Sequence, residues 1–418
     1  MMRLSEIETA MQAGALGKGA EWAIAYQKRV GEFFEAEDFA EIRFSHMITD
    51  AETLGASGLA FLEEMAEMPA EDRRLRTLAI VDSRGFDDRA FERLLPGKPL
   101  VGDTQRAIDA LGRMGAMKAH GYFNNHSIPL PAFGESCAFS GTPTVVYANT
   151  MVGVRCNFEA GPSAIAAMLT GRVPRYGFHL DANRRGTDYF KLEGSPRNTA
   201  DWGAVGAIIG RQLASYWKVP VIDGIAERPD AISLNHLALC LASYGSHAMF
   251  HVVGVTPEAR DAQDAFGGPP PEPAIVTQAD INAFHREYDG DGEPLDVVAL
   301  GAPQLTMPEV YAAAETLAGR KVHENTTLLL YTPLEIKEAC QRAGIAQQIE
   351  DAGGLLVHGP DFFATFAKEI RAAHGWTRLM TQSVKTANIT EGYGYQPVAA
   401  SLADCIESAV AGRIVRTA

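Results

Sequence analysis

The sequence predicts a multi-domain α/β protein with mostly parallel sheets, and three observations carry the prediction. Strand-like and helix-like segments alternate along the chain, the pattern of helices packed on parallel strands. At 418 residues the chain exceeds what one hydrophobic core ordinarily organises. Hydrophobic residues are 46% and charged residues 21%, a globular balance rather than a disordered one.

The elements follow in order. Residues 4–29 read as a helix, with Ile7, Ala10, Met11, Leu16, Trp22 and Ile24 at three- and four-residue spacing. The stretch FAEIRFSHM (39–47) alternates like a strand. Residues 51–67 predict a helix that turns Leu54, Leu59, Phe61, Leu62 and Met65 inward. RTLAIVD (76–82) reads as a strand, and 103–116 as an N-capped helix ending at Gly115. TPTVVYANT (142–150) is rich in β-branched residues and predicts a strand; 161–170 predicts a helix.

Three consecutive prolines and an Asp-Gly-Asp-Gly run mark 266–294 as a connection, with a short helix allowed at 278–287. It divides a region 1–265 that carries the pocket from a doubly wound region 295–418. In the latter, 295–301, 326–332 and 354–359 read as strands, and 306–319 and 333–344 as helices.

The bulk chemistry narrows the partners. Lys plus Arg is 37 and Asp plus Glu is 52, so the net charge is −15. An acidic surface repels nucleic acid and anionic lipid, and a small-molecule partner is expected. No apolar run of about 18 residues predicts a membrane span, and the N-terminal stretch lacks a signal-peptide pattern. Five scattered cysteines with no C-x-x-C pair point to a reducing cytoplasm.

The densest chemistry lies in NFEAGPSAIAAMLTGRVPRYGFHLDANR (157–184). Pro162 suits a first helical position and Gly161 allows close backbone approach. The amides of Ser163, Ala164 and Ile165 then offer a place for a carboxylate or phosphate, although a capped core helix starts in the same way. Arg172, Arg175, His179, Asp181, Asn183 and Arg184 follow within a loop broken by Pro174 and Gly177. Ser45 and His46 end a strand, and Ser383 with Lys385 sits in a polar turn suited to anion binding or proton delivery. His247 and His251, four apart, carry a lesser metal reading, because the segment around His251 looks like a buried strand.

With these pieces in place, the chain resembles the aconitase X family over nearly its whole length. The resemblance is carried by SHMITDAETLGASGLAFLEEMAE, VVYANTMVGVRCNFEAGPSAIAAMLTGRVPRYGFHLDANR, LASYGSHAMFHVVGVTPEA, LDVVALGAPQLTMPEV and TQSVKTAN. It implies an aconitase-like multi-domain α/β/α fold and a dehydratase acting on a small hydroxy carboxylate such as cis-3-hydroxyproline or a phosphorylated mevalonate. It also implies a small swivelling domain, fused or separate, that completes the site.

Carried over position by position, the resemblance places Glu159, Gly161, Ser163, Arg172, His179, Asp181 and Asn183 near substrate. Ser45, Asn149 and Asn157 join them as binding candidates. Lys385, His46, His179 and Ser383 are the catalytic candidates. The family holds iron, or an iron–sulfur cluster, on three cysteines. Here those places read KAHGYFNNH, LGAPQ and GGLLVHGPDFF, with Ala302 and Asp361 at two of the cysteine positions. No cysteine of this chain falls at them, so no cofactor is expected. His120, His358 and Asp361 remain as a substitute ligand set for a different metal. Without a Lewis acid, a side chain must protonate the leaving hydroxide. The same groups would also serve a metal-free isomerase or epimerase, or a non-catalytic binding subunit.

Overall fold

The computed structural model describes residues 2–49, 51–82, 87–96, 100–118 and 131–416. Three sheets organise them. In the first, Met117–Lys118, Leu78–Asp82, Phe44–Ile48 and Ala138–Phe139 lie side by side, all parallel. The second orders Ala274–Val276, Asp188–Leu192, Pro220–Asp223 and His251–Val252, again all parallel. The third runs Gly354–His358, Thr327–Thr332, Val297–Leu300, Arg378–Thr381 and Gln396–Ala399, parallel throughout. Phe39–Glu41 pairs antiparallel with Arg172–Pro174 outside these sheets. The mostly parallel α/β architecture expected from the alternation is therefore present.

Helices cover the sheets, as parallel strands buried on both faces require. The strands of the third sheet are accordingly continuous apolar runs, such as Leu328, Leu329 and Leu330, all fully buried. Against the second sheet, Thr199–Leu213 and Ala231–Gly245 pack closely enough that a Cβ on Gly206 would come within 2.6 Å of the Leu237 carbonyl. The core of the second sheet continues into Val384, Ala387 and Ala399, so the second and third sheets share apolar packing.

Several expected elements differ. The 4–29 helix is two, Glu6–Gln12 and Lys18–Phe33, because Gly14 and Gly17 take left-handed φ between them. Residues 39–47 divide into the strands Phe39–Glu41 and Phe44–Ile48, which belong to different sheets. The 142–150 stretch is helical, Thr142–Tyr147 continuing into a π-helical turn at Ala148–Val152. Its β-branched residues favour a strand in isolation, but Gly141 and Pro143 start a helix and burial of Thr144, Val145 and Val146 keeps it. Within 266–294, the helix Gln278–Glu287 forms as expected, and Ala274–Val276 adds an edge strand to the second sheet.

Candidate active site

The strands of the first sheet all point one way, and the loops beyond their carboxyl ends meet the corresponding loops of the third sheet. There they enclose a cavity of about 490 Å³, within the range of ordinary ligand pockets. From the first sheet come Met47 and Ile48 and the Ser140–Gly141–Thr142–Pro143 turn that begins the Thr142 helix. Ala160, Gly161 and Pro162, at the start of the Pro162–Thr170 helix, form another wall. The third sheet contributes Pro360, Asp361, Phe363 and Ala364, which follow the Gly354–His358 strand, and Lys385 from the first turn of the Val384–Glu391 helix. A smaller chamber of about 310 Å³ adjoins it and shares Pro143 and Asp361. Among its other walls are Tyr147, Asn235, Gln304 and Glu309.

Local physics fixes each wall. Gly161 takes φ 53 and ψ −125, a conformation that costs a side-chain-bearing residue about 1–3 kcal/mol. A Cβ there would meet nothing within 4 Å, so the glycine faces open space. Ser383 caps the Val384–Glu391 helix by accepting from the Thr386 amide, and donates its hydroxyl to the Ala302 carbonyl. The Ala302 amide in turn donates to Asp361 Oδ1 at 3.1 Å. Ala302 itself holds a left-handed φ of 60, rare for alanine. The Lys385 ammonium lies 5.3 Å from the centre of the Phe363 ring, in cation–π contact.

Several sequence candidates stand directly behind the walls. His46 is buried in the Phe44–Ile48 strand, its Nδ1 2.8 Å from the Ser140 carbonyl, and so supports the Ser140 turn rather than lining the cavity. Glu159 is buried beside Ser163, and burial, opposed by a Ser163 hydrogen bond, lifts its carboxyl to about 7. Ser163 lies 3.4 Å from the Tyr26 hydroxyl, away from the cavity. Its amide bonds to the Ala160 carbonyl and that of Ile165 to Gly161, so two of the three amides expected to hold an anion are already occupied. Ser383 is a cap and a strap, not a wall.

The remaining candidates lie away from this cavity. Arg172 sits beyond the far end of the Pro162–Thr170 helix, about 15 Å from Gly161, where it pairs with buried Glu8 at 3.1 Å. His179 and Asp181 line a separate surface pocket with Ser136 and Arg155. Ser136 precedes the Ala138–Phe139 strand and Ser140 follows it, which separates the two pockets by about 13 Å. Burial, with Arg184 and Arg155 adding to it, pushes His179 down to about 3, so it is a neutral imidazole. Asp181 pairs with Arg155 at 2.8 Å. Asn183 donates to the Gly177 carbonyl. Asn157 accepts from the Phe178 amide and the Tyr216 hydroxyl. Asn149 ties the π-helical turn to Cys156 and Ala248 and accepts from the buried Arg184. Ser45 hydrogen-bonds Thr77 within the first sheet. Polar residues crowd the 172–184 loop because a Pro- and Gly-broken segment needs side-chain ties, and sequence alone does not distinguish ties from ligands.

Of the substitute metal ligands, His120 lies outside the described residues. His358 Nδ1 lies 3.1 Å from Asp87 Oδ2. All five cysteines are buried, and none lines the cavity. Among the described residues no three His, Cys, Asp or Glu converge as a metal site would require. His247 and His251 each bond a backbone carbonyl, of Lys218 and Arg184. The donors present at Ala302 and Asp361 thus do not fit a thiolate-held cluster: one has no ligand atom, and the other spends an oxygen on a backbone amide.

Three family descriptions match successive parts of the chain: aconitase X first domain over residues 1–182, second domain over 186–286 and third domain over 295–411. The chain belongs to the aconitase X family. Its aconitase X relatives include the cis-3-hydroxy-L-proline dehydratase of Pseudomonas aeruginosa, 31% identical over 98% of this chain and 70% of that one. The phosphomevalonate dehydratase large subunit of Thermococcus kodakarensis is 26% identical over 94% of this chain and 96% of that one. The crystal structure of Thermococcus kodakaraensis aconitase X in its holo form shares the fold, with a TM-score of 0.84, 24% identity and coverage of 98% and 100%. No helix among the described residues of this aconitase X is long and apolar enough to cross a membrane.

Proposed function

We propose that this chain is an aconitase X hydro-lyase that removes water from a small hydroxy acid bearing an amino or imino nitrogen, and that it works without an iron–sulfur cluster. The observation that carries the reading is one cavity walled at once by the Gly161 helix start, Asp361 and Lys385. A carboxylate substrate is drawn to Lys385, which lies in the first turn of a helix whose dipole adds positive potential. Lys385 is the only lysine or arginine among the described residues lining either chamber, whereas Asp361 and Glu309 add negative charge. That inventory suits a zwitterion of cis-3-hydroxyproline type better than a phosphorylated acid, which carries more negative charge than one ammonium offsets.

Lys385 is the group that delivers a proton to the departing hydroxyl. Phe363, Pro360 and Ala364 give Lys385 an apolar surrounding. Ala302 supplies no ligand, so the leaving group depends on that proton. The unpaired buried thiols suit a reducing compartment such as the cytoplasm. A small subunit closing the cleft accords with relatives named as large subunits, and with the P. aeruginosa relative, of which this chain spans 70%.

The test incubates the protein, purified together with any small subunit that accompanies it, with cis-3-hydroxy-L-proline and, separately, with phosphomevalonate, and follows water loss by NMR. Loss from the first alone is expected; turnover of the phosphorylated acid alone overturns the substrate class. Stoichiometric iron with thiolate–iron absorption in freshly purified protein overturns the cluster-free part. Ala302 also favours a second reading, proton transfer without water loss, which appears as solvent deuterium at the α-carbon of unconsumed substrate.

A further inference from the structure

The smaller chamber, of about 310 Å³, lies where three parts of the chain meet, and it adjoins the larger cavity across Pro143. Its walls are mostly apolar. On the Ala231–Gly245 helix, Ala231, Asn235 and Leu239 recur at four-residue spacing and so share the face turned to the chamber. Pro143, Thr144 and Tyr147 of the Thr142–Tyr147 helix stand on a second side. The third side comes from the loop after the Val297–Leu300 strand, with Pro303 and Gln304, and from Glu309 in the first turn of the Met307–Leu317 helix.

Two polar atoms on these walls lack a hydrogen bond. The Asn235 side-chain oxygen is buried without a partner, and so is the hydroxyl of Thr144, a residue 2% exposed. Buried polar atoms are nearly always paired, because an unpaired one has given up its hydration for nothing. Two of them on one chamber, beside the reaction cavity, are groups kept for a partner from outside the chain. The other wall groups define the chemistry of that partner. The Thr306 amide and hydroxyl both donate to one oxygen of Glu309, at 2.8 and 2.7 Å, which fixes the carboxyl. The second Glu309 oxygen has no hydrogen bond among the described residues. Gln304 spends an N–H on the Gly359 carbonyl at 2.8 Å. No lysine or arginine among the described residues lines the chamber. Acceptors dominate, so a ligand group that carries N–H fits where an anion does not.

We propose that this chamber reads the nitrogen of the substrate, with Asn235 as its specificity-determining residue. The Asn235 side-chain oxygen and the second Glu309 oxygen accept the N–H groups of the ring nitrogen, and the Thr144 hydroxyl adds a third polar contact. The substrate lies across Pro143, its carboxylate on the Lys385 side and its nitrogen on the Asn235 side. The nitrogen assignment rests on the hydroxyproline-type substrate class proposed above, and no proton transfer enters it.

The experiment uses the protein purified together with any small subunit that accompanies it, as wild type, Asn235→Leu and Asn235→Asp. Calorimetry measures binding of L-proline and of (S)-tetrahydrofuran-2-carboxylate, which has oxygen in place of the ring nitrogen; neither bears the hydroxyl, so neither loses water. NMR follows water loss from cis-3-hydroxy-L-proline separately. Wild type should bind proline about 10–100-fold more tightly than the oxygen acid, the worth of hydrogen bonds from a charged N–H. Asn235→Leu should bring the two within threefold, and Asn235→Asp, which keeps an acceptor, should retain the preference. Without ligand, Asn235→Leu should melt above wild type, since it removes an unpaired buried atom; a lower melting temperature marks a structural asparagine and overturns the proposal. Equal binding of the two acids by wild type, binding of neither, or a preference that Asn235→Leu keeps or Asn235→Asp loses also overturns it, and water loss in those samples leaves the hydro-lyase reading standing. A preference lost in Asn235→Leu, in a wild type that removes no water from cis-3-hydroxy-L-proline, supports the chamber assignment and overturns the hydro-lyase reading instead.

Discussion

Glu159→Gln should stabilise the protein at alkaline pH and leave it unchanged at acid pH. Glu159 is 4% exposed and immediately precedes the Ala160–Gly161–Pro162 wall. Tyr176 and Tyr216 feel its charge, and Ser163 hydrogen-bonds it. Burial, against that hydrogen bond, lifts its carboxyl from 4.5 to about 7. Between those two values the folded protein holds a proton that the unfolded chain has released, so stability falls as pH rises through the window and the loss is complete above it. One proton retained across that interval corresponds to about 3 kcal/mol. Glutamine keeps an acceptor for Ser163 and carries no charge at any pH. Urea titrations followed by tryptophan fluorescence should therefore coincide for the two proteins at about pH 4.5 and separate by about 3 kcal/mol at about pH 8.5. A difference that stays constant across this range would show that the carboxyl is not a buried proton-holder and would refute the reasoning.

Lys385→Met should cut turnover by about 100-fold or more at an unchanged melting temperature; steady-state rates beside a melting curve decide it, and retention of half the activity removes Lys385 from the chemistry. Arg172→Leu should destabilise by about 3 kcal/mol, because it leaves buried Glu8 without its partner, while turnover per folded molecule is kept; lost turnover in folded variant would return Arg172 to the site. Arg184→Met removes bonds to Glu258, Asn149 and Phe178 and should cost about 3–5 kcal/mol in denaturant titrations. Burial raises the Asp87 carboxyl, but His358 and Lys337 outweigh it and hold it far below 3.8. The stability from that pairing is full above the ordinary carboxylate range and fades as pH falls below it, so the deficit of Asp87→Asn should shrink between pH 7 and about pH 3.

Periodicity disclosed parts of the scaffold. Three strands of the third sheet, Val297–Leu300, Thr327–Thr332 and Gly354–His358, were legible because parallel strands buried on both faces are continuous apolar runs, whereas Arg378–Thr381 and Gln396–Ala399 were not read, and 278–287 was allowed only as a short helix. The 142–150 segment was not, because Thr144, Val145 and Val146 carry strand propensity that Gly141, Pro143 and tertiary burial override. In the site, Gly161 stood out as a helix start and Lys385 as a lysine in a polar turn, while Asp361 was named only through the family resemblance, at a lost cysteine position. Arg172, His179 and Asp181 stood out equally, yet they lie at the other ends of the same helix and strand. Spacing along a chain does not reveal which end of an element faces a ligand. Ser57, Ser140, Thr142 and Phe363 also line the cavity and were missed, since serine, threonine and phenylalanine occur throughout any fold. The one available signal was SGTP at 140–143, which repeats the glycine-and-proline helix opening of AGPS at 160–163.

Gly161 comes from the early part of the chain, Asp361 and Lys385 from the late part, and they meet only across the seam between the first and third sheets. Catalytic output is then a gauge of how well two lobes stay clasped. A protease nick in the proline-rich stretch 267–273 that let the lobes drift apart would silence the enzyme while each lobe kept its own strands and helices.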